Sequence, residues 1–244
     1  MIEDVRQQQP LVHCITNYVA APFQANGLLA RGASPIMADA VEEAADVAAI
    51  SSSVSLNIGT LKKETVEAML LAGRAANAHG IPVILDPVGA GATPFRLQSV
   101  KHLLKELDVA LIRGNAGELA ALADVDWQAK GVDAGSGTVD LASLAQYVAQ
   151  QYGTVVALSG ETDYVSDGTK TIAIEGGHVF MERVTGMGCL LSSVAASFIA
   201  TNPQQVMETT VEALRFYKRA GERAAIDAKG PGHFQQQFLD ALSK

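Results

Sequence analysis

The segment with the most chemical potential in this 244-residue sequence is Val184-Thr-Gly-Met-Gly-Cys189, which leads into the apolar stretch Leu190 to Ile199. Glycines 186 and 188 at the mouth of a helix let backbone N–H groups approach an anion closely, and the helix dipole adds partial positive charge. A strand-to-helix turn that needs glycine only for its dihedrals has the same pattern. A second segment, Arg113-Gly-Asn-Ala-Gly-Glu118, sets Asn115 and Glu118 three apart at a helix start. That spacing suits a capping box. It equally suits Glu118 ordering water around Mg²⁺ while Arg113 offers a planar donor fork to a nucleotide phosphate. In a third, Ile84-Leu-Asp-Pro-Val-Gly89, Asp86 stands at a strand end beside a glycine-containing loop, as a metal carboxylate or a turn residue.

None of the three decides the chemistry singly. Together they supply what phosphoryl transfer requires: an anion hole, two carboxylates for a hydrated metal, and an arginine. The Gly-x4-Gly-Lys-Ser/Thr loop is absent, so such a kinase would lack a P-loop. A dinucleotide fingerprint also fails, because Gly89-Ala-Gly91 is followed by Pro94 where a third glycine belongs.

The elements that must hold these residues are legible as apolar runs. Leu11–Ile15, Pro35–Ala38, Val54–Ile58, Pro82–Leu85, Val109–Ile112 and Thr154–Leu158 are nearly continuously apolar, as strands covered on both faces are. Between them, Val66, Met69, Leu70 and Gly73 repeat at helical spacing, as do Leu104 with Leu107 and Val211 with Leu214. The expected architecture is an α/β sandwich of three layers with a mostly parallel sheet. Asp167-Gly168 between two strand-like runs predicts a hairpin from Asp163 to Ile174 and an antiparallel edge. In such a sheet ligands gather outside the carboxyl ends of the strands. Asn17, Gly59, Asp86, Arg113, Asn115, Ser159 and Gly160 all follow predicted strands.

Composition narrows the functions. The length suits one domain over residues 1–244, and no linker or repeat divides it; Gly131 to Gly137 reads as a loop. A hydrophobic fraction of 48% with 5% aromatics means a core of Ala, Val, Leu and Ile. The net charge of −8 argues against nucleic-acid and anionic-membrane partners, which need a basic face. Two cysteines, no span-length apolar stretch, and acidic residues within the first ten positions lead to the expectation of a soluble cytoplasmic protein.

The N-x-x-E element at Asn115 to Glu118, paired with the late Gly-x-Gly helix mouth, resembles the ribokinase-like fold. More closely, the chain resembles the hydroxyethylthiazole kinase family. His13-Cys-Ile-Thr-Asn-Tyr-Val19, Ala25-Asn-Gly-Leu-Leu29, Gly32-Ala-Ser-Pro-Ile-Met-Ala38, Asn57-Ile-Gly-Thr60, Leu85-Asp-Pro-Val-Gly89, Arg113-Gly-Asn115, Gly186-Met-Gly-Cys189 and Gly230-Pro-Gly232 carry that likeness in order. It implies ATP-dependent phosphorylation of the alcohol of 4-methyl-5-(2-hydroxyethyl)thiazole. It also implies Met37 and Gly186 against the thiazole, with Asn17 and Gly59 nearby, and Arg113, Ser159 and Asn115 on the ATP side. Asp86 and Glu118 would serve Mg²⁺ and the phosphates, and Gly186 and Gly188 the anion hole. Cys189 falls where most ribokinase-like enzymes carry an aspartate base, and its helix-mouth position predicts a lowered thiol pKa. The family also implies a homotrimer with active sites between subunits.

One departure is Met187, where the family usually has a small residue. His79 and His102 are expected on helix surfaces and His178 in a loop, while His13 and His233 read as structural. Two alternatives stay open: a kinase for another hydroxyalkyl heterocycle such as hydroxymethylpyrimidine, and a catalytically silent sensor of thiazole or nucleotide.

Overall fold

The structure is a computed structural model that describes residues 2–125 and 140–244; the loop expected at Gly131 to Gly137 lies outside the described residues. The strands are β1 (Leu11–Ile15), β2 (Ser34–Ile36), β3 (Ser53–Asn57), β4 (Val83–Asp86), β5 (Leu111–Asn115), β6 (Val155–Ser159), β7 (Asp163–Ser166) and β8 (Thr171–Ile174). They form one sheet in the order β2-β1-β3-β4-β5-β6-β7-β8. Pairing is parallel from β2 to β6 and antiparallel from β6 through β8, the edge expected from Asp167-Gly168.

The helices are α1 (Ile2–Gln8), α2 (Ala21–Arg31), α3 (Ala44–Ile50), α4 (Lys63–Ala78), α5 (Pro94–Glu106), α6 (Ala116–Leu122), α7 (Leu141–Tyr152), α8 (Met187–Thr201), α9 (Val206–Ala225) and α10 (Pro231–Leu242). A 3₁₀ turn at Val179–Arg183 precedes α8. His178 lies in the loop before that turn, as expected, and caps it, accepting from the Phe180 N–H and stacking near Phe234.

Why the strands are apolar at every position is plain from where alternate residues go. Val12 and Cys14 of β1, Ile84 of β4, Leu111 of β5 and Ala157 of β6 join a core with α2, α8, α9 and α10. Ile15, Val83, Leu85, Ile112, Val156 and Leu158 join a second core with α3 to α7. Strand period two divides the apolar residues between two layers, so each strand needs them on both faces. Small side chains let α8 settle onto the sheet: Ser192, Ser193 and Ser197 are fully buried there, and Gly27 of α2 leaves room for Leu190. Among the described residues no helix is long and apolar enough to cross a membrane.

The predicted strands are displaced at their ends. Asp86 closes β4 and does not follow it; Arg113 and Asn115 belong to β5, and Ser159 to β6. The ladder runs past the last apolar residue, pairing Asn57 with Asp86 and Asn115 with Ser159. At the carboxyl ends the side chains face a polar site, so hydrophobicity stops before the hydrogen bonds do. The run expected from Pro35 to Ala38 is likewise only Ser34–Ile36, and the one expected from Pro82 begins at Val83.

Candidate active site

The polar strand ends converge on the first turn of α8. Gly186, its N-cap, has φ +88°, a left-handed conformation that a β-carbon would strain. At Gly188 the constraint is proximity, because a β-carbon would come within 2.7 Å of an Arg113 guanidinium nitrogen. The guanidinium therefore lies against the turn where a helix offers unpaired N–H groups. It donates to Ser159 Oγ and sits 3.8 Å from Asp86 Oδ2. Arg113 Nε is buried and unpartnered. These groups together favour an anion.

Asp86 is fully buried, with Oδ2 accepting from Asn57 Nδ2 and Ser192 Oγ, both at 2.8 Å. Burial, opposed by the neighbouring Arg113 charge and aided by Glu118, pushes its carboxyl up to about 6. Oδ1 has no hydrogen-bond partner. Glu118 completes the capping box with Asn115 and, through its other oxygen, accepts from the Gly89 N–H at 2.9 Å. It thus ties the loop after β4 to the start of α6. Among the described residues no three His, Cys, Asp or Glu side chains form a metal cage. A magnesium ion bound through water and phosphate oxygens needs only one or two carboxylates, and the orphaned Asp86 Oδ1 beside Glu118 fits that requirement.

On the other side of Asp86 the network continues toward the first strand. Asn57 Oδ1 accepts from Asn17 Nδ2 at 2.8 Å and from the Gly59 N–H at 3.0 Å. Asn17 Nδ2 also lies 3.3 Å from Cys189 Sγ, while its Oδ1 accepts from the Ala20 N–H. A β-carbon on Gly59 would meet Asn17 at 2.7 Å, so glycine there keeps the two loops in contact. The expectation of a lowered thiol pKa at Cys189 is overturned. Burial first, and the nearby Asp86 charge second, push the thiol up, outweighing the hydrogen bonds of Asn57 and Asn17 and the Arg113 charge.

Two cavities flank this network. The larger, about 1030 Å³, is lined by Arg113, Asn115, Ser159, Gly188 and Lys218, among others. The smaller, about 180 Å³, is lined by Cys14, Thr16, Tyr18, Met37 and Thr60. Gly188 lines the first and Thr16 and Tyr18 the second, so Cys189 and Asn17, which touch each other, are each the chain neighbour of a cavity-lining residue. Met37 is 37% exposed and away from Arg113's cavity. Met187 is buried, its carbonyl accepting from Tyr217 Oη at 2.7 Å and its sulfur 4.0 Å from that hydroxyl. His13 is structural: its Nε2 is 2.7 Å from the Ala38 carbonyl, and burial lowers its pKa.

The family model for the hydroxyethylthiazole kinase family matches residues 2–244. The chain belongs to the hydroxyethylthiazole kinase family. It is 53% identical over 240 residues to the hydroxyethylthiazole kinase of Haemophilus influenzae strain PittEE, covering 98% of this chain and 91% of the relative. To that of Lysinibacillus sphaericus strain C3-41 it is 49% identical over 244 residues, covering 100% of this chain and 95% of the relative. The solved hydroxyethylthiazole kinase of Pyrococcus horikoshii OT3 matches with a TM-score of 0.89 at 38% identity, over 99% of this chain and 92% of the other. A ribokinase-like superfamily protein of Enterococcus faecalis V583 matches at TM-score 0.68 and 13% identity, over 95% and 86% of the two chains. That second likeness concerns the fold alone, which is ribokinase-like.

Within this hydroxyethylthiazole kinase fold, sequence reasoning missed Asn57, Ser192, Tyr217 and Lys218. Asn57 had a signal, a polar residue closing an apolar strand two positions before Gly59. Ser192 stands one turn after Gly188, inside an apolar helix where a hydroxyl needs a partner. Tyr217 and Lys218 had none.

Proposed function

We propose that the chain phosphorylates the hydroxyl of 4-methyl-5-(2-hydroxyethyl)thiazole with ATP, as one kinase domain of the cytoplasm. The observation that carries this reading is the contact between Asn17 and Cys189, whose chain neighbours line the smaller and the larger cavity, with the anion-favouring turn of α8 beside it. Nucleotide belongs in the larger cavity, where Arg113, Ser159 and Asn115 face the phosphates and the strand ends. Thiazole belongs in the smaller one, where the polarizable Met37 suits a neutral sulfur-containing ring and Gly186 and Gly59 bound the approach.

Asp86 and Glu118 would hold Mg²⁺ with its waters, and bound there the ion supplies positive charge that offsets the charge on the phosphates. The first-turn N–H groups of α8 and the Arg113 guanidinium stabilise charge on the phosphoryl oxygens. Asn17 Nδ2 donates toward the thiol and so orients Cys189 Sγ at the point where the alcohol enters. With its pKa raised, Cys189 acts as a neutral group that positions the hydroxyl and does not require a covalent phosphocysteine. A loose transition state places most of the catalysis in positioning and electrostatics, so a strong base contributes little.

A homotrimer is supported by the exposed apolar rim of the smaller cavity, where Tyr18 is 73% and Val19 57% exposed. Light scattering of the active protein checks it, a fully active monomer being contrary. The activity itself is tested by mass spectrometry after incubation with ATP, Mg²⁺ and either the thiazole alcohol or hydroxymethylpyrimidine. A thiazole monophosphate formed in preference is expected; a pyrimidine monophosphate alone, or no product, would refute the reading.

A further inference from the structure

Lys218, on α9, is 6% exposed in the wall of the larger cavity. Its Nζ lies 2.7 Å from the Glu161 carbonyl oxygen, 3.2 Å from that of Gly160 and 3.2 Å from that of Gly176. Asp163 Oδ1 stands 3.4 Å away on the same ammonium. A lysine ammonium has three protons to donate, and here four oxygens surround it. Those oxygens come from three separate places: the turn between β6 and β7, the first residue of β7, and the segment after β8. The carboxylate is itself fixed, Asp163 Oδ1 accepting from the Gly160 N–H at 2.9 Å. One turn along α9, Glu222 accepts from the Gly177 N–H, so the same helix face holds the segment after β8 at two points.

A convergent set of backbone carbonyls with one carboxylate is the ligand chemistry of a monovalent cation, whose hydration shell such oxygens replace. We infer that these four oxygens form a monovalent-cation site, of the K⁺ or NH₄⁺ class, which this chain occupies permanently with its own Lys218 ammonium. The inference rests on reading the larger cavity as the nucleotide site. There the tethered cation keeps the antiparallel edge docked on α9 and the cavity wall in its binding form, independent of salt. Without a cation, four desolvated oxygens would face each other and the two loops would part.

The test compares ADP binding by calorimetry in KCl, ammonium chloride and choline chloride at matched ionic strength. The parent protein should bind ADP equally in all three. Lys218→Ala should bind at least about tenfold more weakly in choline chloride, the loss expected on removing charge-assisted hydrogen bonds. KCl or ammonium chloride should return it to within roughly threefold of the parent, as a free cation enters the emptied cage. Lys218→Met, which fills the same space with apolar atoms, should stay weak in every salt. A Lys218→Ala protein with the same affinity in K⁺ as in choline, or a Lys218→Met protein that binds like the parent, overturns the inference. If Lys218→Ala unfolds in choline chloride, its melting temperature decides: stabilisation by K⁺ supports the cage, and equal melting in K⁺ and choline overturns it. Failure of the parent to bind ADP in any salt removes the nucleotide reading alone, and the melting comparison still decides on the cation site.

Discussion

The two cavities are built on different principles. The larger cavity, proposed above for nucleotide, is organised by cations, with Arg113 on the turn of α8 and Lys218 bracing the antiparallel edge. The smaller cavity, proposed for the alcohol, is about 180 Å³ and ringed by Met37, Tyr18 and short polar side chains. Phosphates are alike in every nucleotide and repay a rigid, charged cradle, whereas a small neutral ring gives few hydrogen bonds and must be recognised by shape. The first task needs charged groups held in place; the second leaves Tyr18 and Val19 exposed beside the smaller cavity.

If Asp86 serves both sides, its loss should produce the largest effect. Asp86→Asn is expected to lower turnover about 10³-fold, as loss of a carboxylate that would hold the charge-offsetting metal does. Its stability signature is opposite in sign to that of a salt-bridged surface carboxylate. Between the ordinary value of 3.8 and about 6 the folded protein keeps a proton that the unfolded chain has lost, so metal-free stability falls as pH rises through that window. The difference in melting temperature between parent and Asp86→Asn, followed from pH 4 to 7, should show this decline. A flat difference would mean that Asp86 is not held as described.

Arg113→Ala should cost roughly 100-fold in kcat/KM for ATP, from the loss of a charge-assisted phosphate contact, with KM for the alcohol little changed. Equal losses for both substrates in a folded variant would erase the distinction between the cavities. Cys189→Ala, at the junction, should reduce kcat by about tenfold or less, since a neutral positioning group contributes less than a general base. Consistent with a raised thiol pKa, iodoacetamide should label Cys189 slowly at neutral pH and faster in alkali; rapid labelling at pH 7 would restore the thiolate. Met37→Ala is expected to raise KM for the alcohol about fivefold while KM for ATP stays put, as removal of roughly 1 kcal/mol of packing would. A shift in the ATP value would put Met37 on the wrong side.

Much of this arrangement could be read from residue types because α/β layering forces apolar strands and collects polar residues at their ends. What could not be read is where the ladders stop: Asp86 looks like a loop residue, yet it is the register partner of Asn57. Glu118 could be read two ways, and the capping box and the tether to Gly89 coexist because a carboxylate has two oxygens to give. Cys189 misled because its helix mouth is local and visible, while the burial that raises its thiol pKa, and the Asp86 charge that adds to it, come from residues far off in the chain. Lys218 left no trace at all. A single lysine in an amphipathic helix looks solvated until the three segments that surround it are folded into place.

The position of α8 has a consequence for how the protein is made. Its buried residues from Leu190 to Ile199 cover the sheet face presented by β1, β3 and β4, all of which precede it in the chain. On the ribosome those strands emerge well before their cover does, and for that interval an apolar sheet face lies open. Neither Asn17 nor Arg113 can meet the α8 turn until more than three quarters of the chain has been synthesised. Nascent chains halted before Thr201 should accordingly be protease-sensitive and dependent on chaperones, and those extended through Ala225 should not.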